Sequence, residues 1–341
     1  MALLAPAFLS VALAAGVAVA AEVPLPVIDM HLHAEPIGSY GPPPVAICAP
    51  YVTWPQYDPS EPEGAYAMRF VKEPECEKPL WSPTTDDALM KDTLAALARR
   101  NVYAVASGPL ANVTRWRNAA PTRIIPALGF ALPQKEQLTV DAVREMIRGK
   151  EISVFGEVTS QYFGIAPDDP AFEPYLALLE EHDIPLAIHL GPGPPGTPLL
   201  GPVMREYKAA LHNPLTLEPV LRKHPRLRVY AMHAGWPMID EMLVMLYTYP
   251  QLHVDVAILA YAYPPAEFYR YLDRLVTAGF GKRILYGSDQ MVWPQAIEIS
   301  IRRIEDAPNL TATQKRDILY HNAARFLRLT KEEIARHHAG K

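Results

Sequence analysis

The chain has 341 residues, half of them apolar, a net charge of −5 and 36 prolines. This composition is typical of a globular protein with one large domain or two small ones. Lysine and arginine form no basic stripe, so we expect no nucleic-acid partner. The prolines occur in short runs such as GPPP and GPGPPG, which favour stiff surface loops.

The first segment, residues 1–21, is apolar and rich in small residues, and the AVA at 18–20 resembles a cleavage site. This pattern predicts a secretory signal peptide, so we expect a periplasmic or secreted protein with no stable membrane span in its mature form. Disulfides persist in such oxidising compartments. We therefore expect Cys48 and Cys76 to form a disulfide, with two unpaired surface thiols as the alternative.

From residue 22 onward, short apolar runs alternate with longer amphipathic segments such as TTDDALMKDTLAALARR. The runs predict eight strands: PVIDMHLH, NVYAVAS, RIIPALGF, EISVFGEV, IPLAIHL, LRVYAMH, QLHVDVA and KRILYGSD. Strands that alternate with helices in this way predict a (β/α)8 TIM barrel over residues 22–330. A doubly wound sheet is the alternative, but no GxGxxG follows the first strand.

Two segments fall outside this repeat. Residues 34–80 are rich in proline and show no clear periodicity, so we expect a long insertion after the first strand, placed as a loop at the barrel mouth. Its aromatic side chains, among them Tyr40 and Trp54, are candidates for the wall of a pocket. Residues 331–341, KEEIARHHAGK, predict a polar, solvated C-terminal tail.

Polar side chains end five of the predicted strands, at the barrel face where active sites of this architecture lie. In the first strand, alternation places Asp29, His31 and His33 on one face, because side chains two apart in a strand share a face. Asp29 is either a partner that orients a histidine or a structural strand residue. The complete set of candidate ligands is His31, His33, Glu157, His189, His233 and Asp289.

Burying four imidazoles and two carboxylates together is costly unless each finds a partner. A divalent cation removes that cost, because it binds neutral imidazole nitrogens and carboxylate oxygens directly. Nitrogen and oxygen donors without thiolate favour Zn²⁺, with Mn²⁺, Co²⁺ or Fe²⁺ as alternatives. The six residues therefore predict a metal centre that holds one or two ions.

The order HxH, Glu, His, His, Asp along the strands resembles the amidohydrolase superfamily, in particular its amidohydrolase-related branch with the aminocarboxymuconate-semialdehyde decarboxylase-like proteins. IDMHLH, IHLG, MHAG, YGSD and NAARFLRL are similar to landmarks of that branch. The resemblance implies that His233 is a second-metal ligand or an acid/base group, and that Glu157 stands where many two-metal members carry a carboxylated lysine. TatD-like deoxyribonucleases have a glutamate there. The first metal is implied to bind His31, His33, His189 and Asp289.

These features predict a metal-dependent hydrolase that activates water to cleave an amide, ester or lactone bond of a small molecule. In this hypothesis Asp289 takes the proton of the water and His233 polarises the reacting oxygen. The alternatives are a non-oxidative decarboxylase of a small carboxylated substrate, aromatic or not, a metal-free lactonase and a non-catalytic periplasmic binding protein. Candidate substrate-binding residues are Tyr162, Trp236 and Arg115, and a homo-oligomer is left open.

Overall fold

The computed structural model describes residues 23–133 and 138–341; the predicted signal peptide, residues 1–21, lies outside the described residues. Eight parallel strands form one sheet in chain order, and two further strands pair antiparallel. The barrel strands are β1 (Val27–His33), β4 (Val102–Ser107), β5 (Ile124–Phe130), β6 (Val154–Val158), β7 (Leu186–His189), β8 (Val229–Met232), β9 (Leu252–Asp255) and β10 (Ile284–Leu285), and the separate pair is β2 (Ala46–Ile47) and β3 (Leu80–Trp81).

Backbone hydrogen bonds join the first strand to the segment that follows the last one. The Met30 amide donates to the Tyr286 carbonyl at 2.8 Å. The Asp29 carboxylate reinforces this seam by accepting from the amides of His31 at 3.0 Å and Ser288 at 2.9 Å. The predicted (β/α)8 barrel is confirmed, and each of the eight predicted strands contains one of the observed barrel strands.

Helices cover the outside of the barrel, and a continuous apolar core fills the space between them and the strands. None of the helices in the described part of the chain has the length and apolar character that a bilayer crossing requires. The helices are α1 (Glu63–Lys72), α2 (Asp86–Arg99), α3 (Leu110–Ala119), α4 (Val140–Arg148), α5 (Glu173–Glu181), α6 (Glu218–Lys223), α7 (Ile239–Thr248), α8 (Leu259–Ala262), α9 (Pro265–Leu275), α10 (Gln295–Glu305), α11 (Ala312–Arg316), α12 (Asn322–Phe326) and α13 (Lys331–His338).

Residues 34–80 contain more structure than the loop that their sequence predicts. The strands β2 and β3 pair across this segment, and helix α1 lies between them. A disulfide joins Cys48 to Cys76, with their Cα atoms 6.0 Å apart. Helix α1 packs through Phe70, whose ring centroid lies 5.7 Å from that of Tyr51. Helix α1 has ten residues, which form fewer than three turns. The hydrophobic periodicity of so short a helix is a weak signal in the sequence, and its partners, such as Tyr51, are distant along the chain.

The C-terminal residues 331–341 are polar and mostly exposed, but they form a helix and bury one of the two histidines. Residues 331–338 form α13, which begins with a capping box between Thr330 and Glu333. His337 is only 8% exposed, and its ring stacks on Tyr103 with centroids 3.5 Å apart. Tyr103 belongs to the apolar cluster inside the barrel. Only the side of this charged helix that carries His337 contacts the barrel, so the buried histidine is the exception to the prediction.

Candidate metal centre

All six predicted ligands meet at the C-terminal mouth of the barrel. The five histidine and aspartate residues among them are at most 6% exposed, and Glu157 is partly buried. The structure brings their ligand-type atoms together in three overlapping groups, each within 4.8 Å. These groups are His31–His33–Glu157, His31–His233–Asp289 and Glu157–His189–His233.

One half of this cluster is formed by the paired histidines of β1. The Nε2 atoms of His31 and His33 lie 3.1 Å apart. Asp289 places Oδ1 2.9 Å from His33 Nε2. Glu157 turns its Oε2 toward the same pair, at 3.7 Å from His31 and 3.6 Å from His33.

The other half is formed by the ends of β7 and β8. His189 Nδ1 lies 2.6 Å from Glu157 Oε1 and 3.1 Å from His233 Nε2. The two oxygens of Glu157 therefore face different halves of the cluster. This geometry differs from the ligand set that the resemblance implies for a first metal, because His189 is grouped with Glu157 and His233 instead of with the β1 histidines.

In three of the histidines the second ring nitrogen lies within hydrogen-bond distance of an acceptor outside the cluster. His31 Nδ1 lies 3.1 Å from Asp255 Oδ2, and His233 Nδ1 lies 3.2 Å from a backbone carbonyl. His189 Nε2 lies 3.2 Å from the Gly191 carbonyl. In a neutral imidazole only one nitrogen carries a proton, so the tautomer that donates through these contacts has its lone pair directed into the cluster.

Asp255 is a site residue that the strand ends do not reveal, because it lies two residues before the end of the seventh predicted strand, QLHVDVA. It is fully buried, and its Oδ1 accepts from the backbone amides of His233 at 2.8 Å and Ala257 at 3.0 Å. Its Oδ2 faces His31. The signal was present in LHVDVA, where an acid interrupts an apolar strand. Asp255 thus takes the orienting role, while Asp29 binds seam amides and contacts no imidazole by hydrogen bond.

Two glycines permit the close approaches that shape the mouth. A Cβ on Gly156 would lie 2.3 Å from Ala187 Cβ, and its φ of +152° lies in a region that favours glycine. Glu157 follows directly and reaches the cluster from there. A Cβ on Gly287 would lie 2.7 Å from His31 Cβ. Bulkier residues at either position would displace a candidate ligand.

The electrostatics of the cluster favour a bound cation. Burial opposes ionisation of Asp289, but the neighbouring imidazoles of His31 and His33 outweigh it and lower its pKa to about 2. Burial likewise opposes ionisation of Glu157, but hydrogen bonds from His189 hold its pKa well below the usual range. The carboxylates raise the pKa of His31 well above its ordinary value against its burial. Carboxylates that stay ionised in a buried site attract positive charge, as protons or as metal.

The three candidate substrate-binding residues have different positions. Tyr162 belongs to the site, since its hydroxyl lies 3.1 Å from His189 Nε2. Trp236 lines a neighbouring cavity of about 260 Å³. Arg115 is wrong as a site residue, because it lies on α3 and forms an ion pair with Asp87 of α2, on the outside of the barrel. The helical position of Arg115 directs its side chain to the adjacent helix.

Solved structures similar to this one share its fold. An uncharacterised TIM-barrel protein from Bordetella bronchiseptica has 19% identity and a TM-score of 0.57, over 91% of this chain and 100% of that one. A probable 2-pyrone-4,6-dicarboxylic acid hydrolase from Acinetobacter baumannii, with citric acid bound, has 14% identity and a TM-score of 0.53, over 89% and 99%. An amidohydrolase from Burkholderia multivorans with bound HEPES has 15% identity and a TM-score of 0.53, over 89% and 99%. At these identities the likeness establishes the fold alone.

Sequence comparisons address the family. No curated protein sequence gives a significant match to this chain. The family model described as Amidohydrolase matches residues 28–329, which span the barrel from its first strand to the helices that follow its last one. All six residues of the cluster lie within this range. The chain therefore belongs to the amidohydrolase family.

Proposed function

We propose that this protein is a metal-dependent hydrolase that cleaves an amide, ester or lactone bond of a small molecule. The observation that carries the proposal is the direction of the ring nitrogens. The outer ring nitrogens of three buried histidines each face Asp255 or a backbone carbonyl, so the neutral tautomer that donates there would present a lone pair to the carboxylates of the cluster. A structural hydrogen-bond network needs no such convergence of lone pairs.

The residues fit a divalent cation by their chemistry. Neutral imidazole nitrogens and carboxylate oxygens without thiolate suit Zn²⁺ first, with Mn²⁺, Co²⁺ or Fe²⁺ as alternatives. His31, His33 and Asp289 would hold one ion, and His189 and His233 a second. Glu157 faces both halves of the cluster and would bridge them. A bound ion of this kind supplies acidified water, whose pKa falls from about 15.7 to about 7.

The protein side chains would manage the proton and the reacting oxygen. Asp289, whose Oδ1 lies beside the β1 histidines, would take a proton and pass it to the leaving group. His233 uses Nδ1 for a backbone carbonyl and turns Nε2 toward His189, which favours a ligand role over an acid/base role. Burial raises the pKa of Tyr162 well above its ordinary value. Its hydroxyl therefore keeps its proton and can donate to the reacting carbonyl oxygen.

Export is part of the same proposal. A periplasmic or secreted enzyme would keep the Cys48–Cys76 disulfide oxidised, and the presence of that bridge supports such a compartment. We take a small molecule as the substrate.

Elemental analysis combined with turnover assays tests this function. We expect elemental analysis to find about two zinc ions per chain, because the ligand groups described above would hold two. Asp289→Asn should lower ester or lactone hydrolysis by about 10²- to 10⁴-fold, as loss of a proton-transfer group does. The matched control is Asp240→Asn, which removes an exposed carboxylate paired with Arg274 on the barrel exterior and should leave turnover unchanged. Full hydrolysis by metal-free protein would refute the proposal, and release of CO2 from a carboxylated substrate would favour the decarboxylase instead.

A further inference from the structure

The cavity beside the cluster has a wall of aromatic and proline residues. It measures about 260 Å³ and is lined by Trp54, the loop 192–198, Tyr207, Trp236 and Tyr263. These residues come from the insertion after β1 and from the segments after β7, β8 and β9. Among the described residues, the lining includes no lysine, arginine, aspartate or glutamate.

The aromatic rings of this wall hold one another in place. Tyr263 meets the edge of Trp236 with ring centroids 4.4 Å apart, and it meets Trp54 at 5.3 Å. Trp236 Nε1 donates to Glu267 Oε1 at 2.9 Å. Trp54 also stacks on Tyr51 at 4.8 Å. Rings that are fixed in this way lose little conformational freedom when a ligand binds, so the wall is preorganised.

Tyr162 lies between the cavity and the proposed reaction site. The ring of Tyr207, which lines the cavity, lies 5.8 Å from that of Tyr162. The loop lies directly on Tyr162 as well, since a Cβ on Gly193 would be 2.6 Å from its hydroxyl oxygen. Tyr162 in turn contacts His189 of the cluster at 3.1 Å. A ligand in the cavity would therefore be separated from the cluster by the single side chain of Tyr162.

Over residues 23–133 and 138–341, the lining of the cavity offers no positive charge to an anion. A carboxylate buried in the cavity would find no cationic partner in its lining, and unpaired buried charge is costly. Arg115, a candidate from the sequence for that role, is engaged on the outside of the barrel. The volume lies just below the range of about 300 to 1,000 Å³ that is common for ligand pockets. It suits one or two rings.

We infer that this cavity takes an uncharged molecule of one or two rings, whose scissile bond reaches the cluster past Tyr162. The inference rests on the proposed function in treating the cavity as the substrate site. It deepens that function by naming the substrate class, which is neutral aromatic or cyclic compounds. Anionic ring compounds of the same size are excluded from the class.

Calorimetric binding of a matched pair of probes tests the inference. At pH 7, 2-naphthol is neutral and 2-naphthoate is anionic, and both carry the same two rings. The metal-loaded wild-type protein should bind 2-naphthol at least about tenfold more tightly than 2-naphthoate, because the anion has no partner. Because binding is measured and not turnover, protein that fails to hydrolyse anything still gives a decisive result.

Two truncations from different walls locate the binding. Trp54→Ala and Tyr207→Ala should each weaken 2-naphthol binding by about tenfold, as loss of an aromatic anchor does. Trp81→Ala is the matched control, since Trp81 directly follows the same insertion, is 42% exposed and does not line the cavity. If one truncation fails to fold, the other carries the test. Equal or tighter binding of 2-naphthoate overturns the inference, and so does unchanged 2-naphthol binding in a folded truncation.

Discussion

The carboxylate of Asp255 should control metal affinity although it donates no ligand atom to the cluster. Its Oδ1 accepts two backbone amides, and its Oδ2 accepts from His31 Nδ1 at 3.1 Å. Asp255→Asn preserves the size of the side chain but leaves one oxygen. If that oxygen keeps its hydrogen bonds from the two backbone amides, the NH2 group of the new asparagine faces His31 Nδ1. Two hydrogen-bond donors would then face each other.

The imidazole of His31 then has to change tautomer. Its Nδ1 would accept from the new amide, and its Nε2 would carry the proton into the cluster, where a lone pair is needed. Loss of such an orienting partner typically lowers metal affinity by about 10- to 100-fold, which corresponds to about 1.4 to 2.7 kcal/mol. We expect this loss for Asp255→Asn. Competition with a fluorescent zinc chelator measures it directly.

Asp29→Asn is the control, because Asp29 is equally buried and also accepts two backbone amides. Burial raises the pKa of Asp29 to about 6, which still leaves it mostly ionised at pH 7, so both variants remove a buried negative charge. Asp29 contacts no ring nitrogen by hydrogen bond, and its variant should keep wild-type zinc affinity while losing some stability. The reasoning fails if Asp255→Asn binds zinc as tightly as wild type, or if both variants weaken it equally.

Three further predictions concern stability and folding. Reduction of the Cys48–Cys76 bridge should lower the free energy of unfolding by roughly 3 to 4 kcal/mol, the loop-entropy value for its sequence separation of 28, and urea unfolding with and without reductant measures this. Burial lowers the pKa of His337 to about 4, so the unfolded state binds more protons, and stability should fall as the pH drops from about 6.5 to about 4. His337→Gln should flatten that part of the urea-midpoint profile, and an unchanged slope would count against the argument. Gly156→Ala should fail to fold, by circular dichroism, whereas Gly64→Ala, with no atom within 4 Å of its added Cβ, should fold normally.

The positions of the strands could be predicted because buried parallel strands leave a strong local signal. Each is a short apolar run, rich in β-branched or aromatic residues, and each precedes a segment of helical periodicity. The ligands could be found because polar residues at the ends of such runs are unusual. His31 and His33 illustrate this, since both interrupt an otherwise apolar strand and both reach the cluster.

Side-chain directions were harder to predict. If His233 faced the barrel axis in a regular strand, alternation would place Tyr230 and Met232 outside the barrel. Both instead belong to the cluster inside it, while Val229 and Ala231 pack against the helices. His233 shares the parity of the outward residues and still reaches the mouth. Its backbone φ of +58° places it outside regular strand geometry, and alternation no longer applies there.

Departures from regular geometry also occur at or beside the other ligands except His189, whose strand pairs with β8 in regular register. The pairing of β1 with β4 shifts register between Asp29 and Leu32, and that of β6 with β7 shifts around Glu157. Asp289, like His233, has a positive φ, at +50°. Strict alternation would send only every second residue inward, whereas this site needs ligands from positions that alternation forbids. Register shifts and left-handed residues supply those positions, so the pleat rule fails where the chemistry lies. Residue types at strand ends are therefore a better guide to such a centre than the faces on which alternation places them.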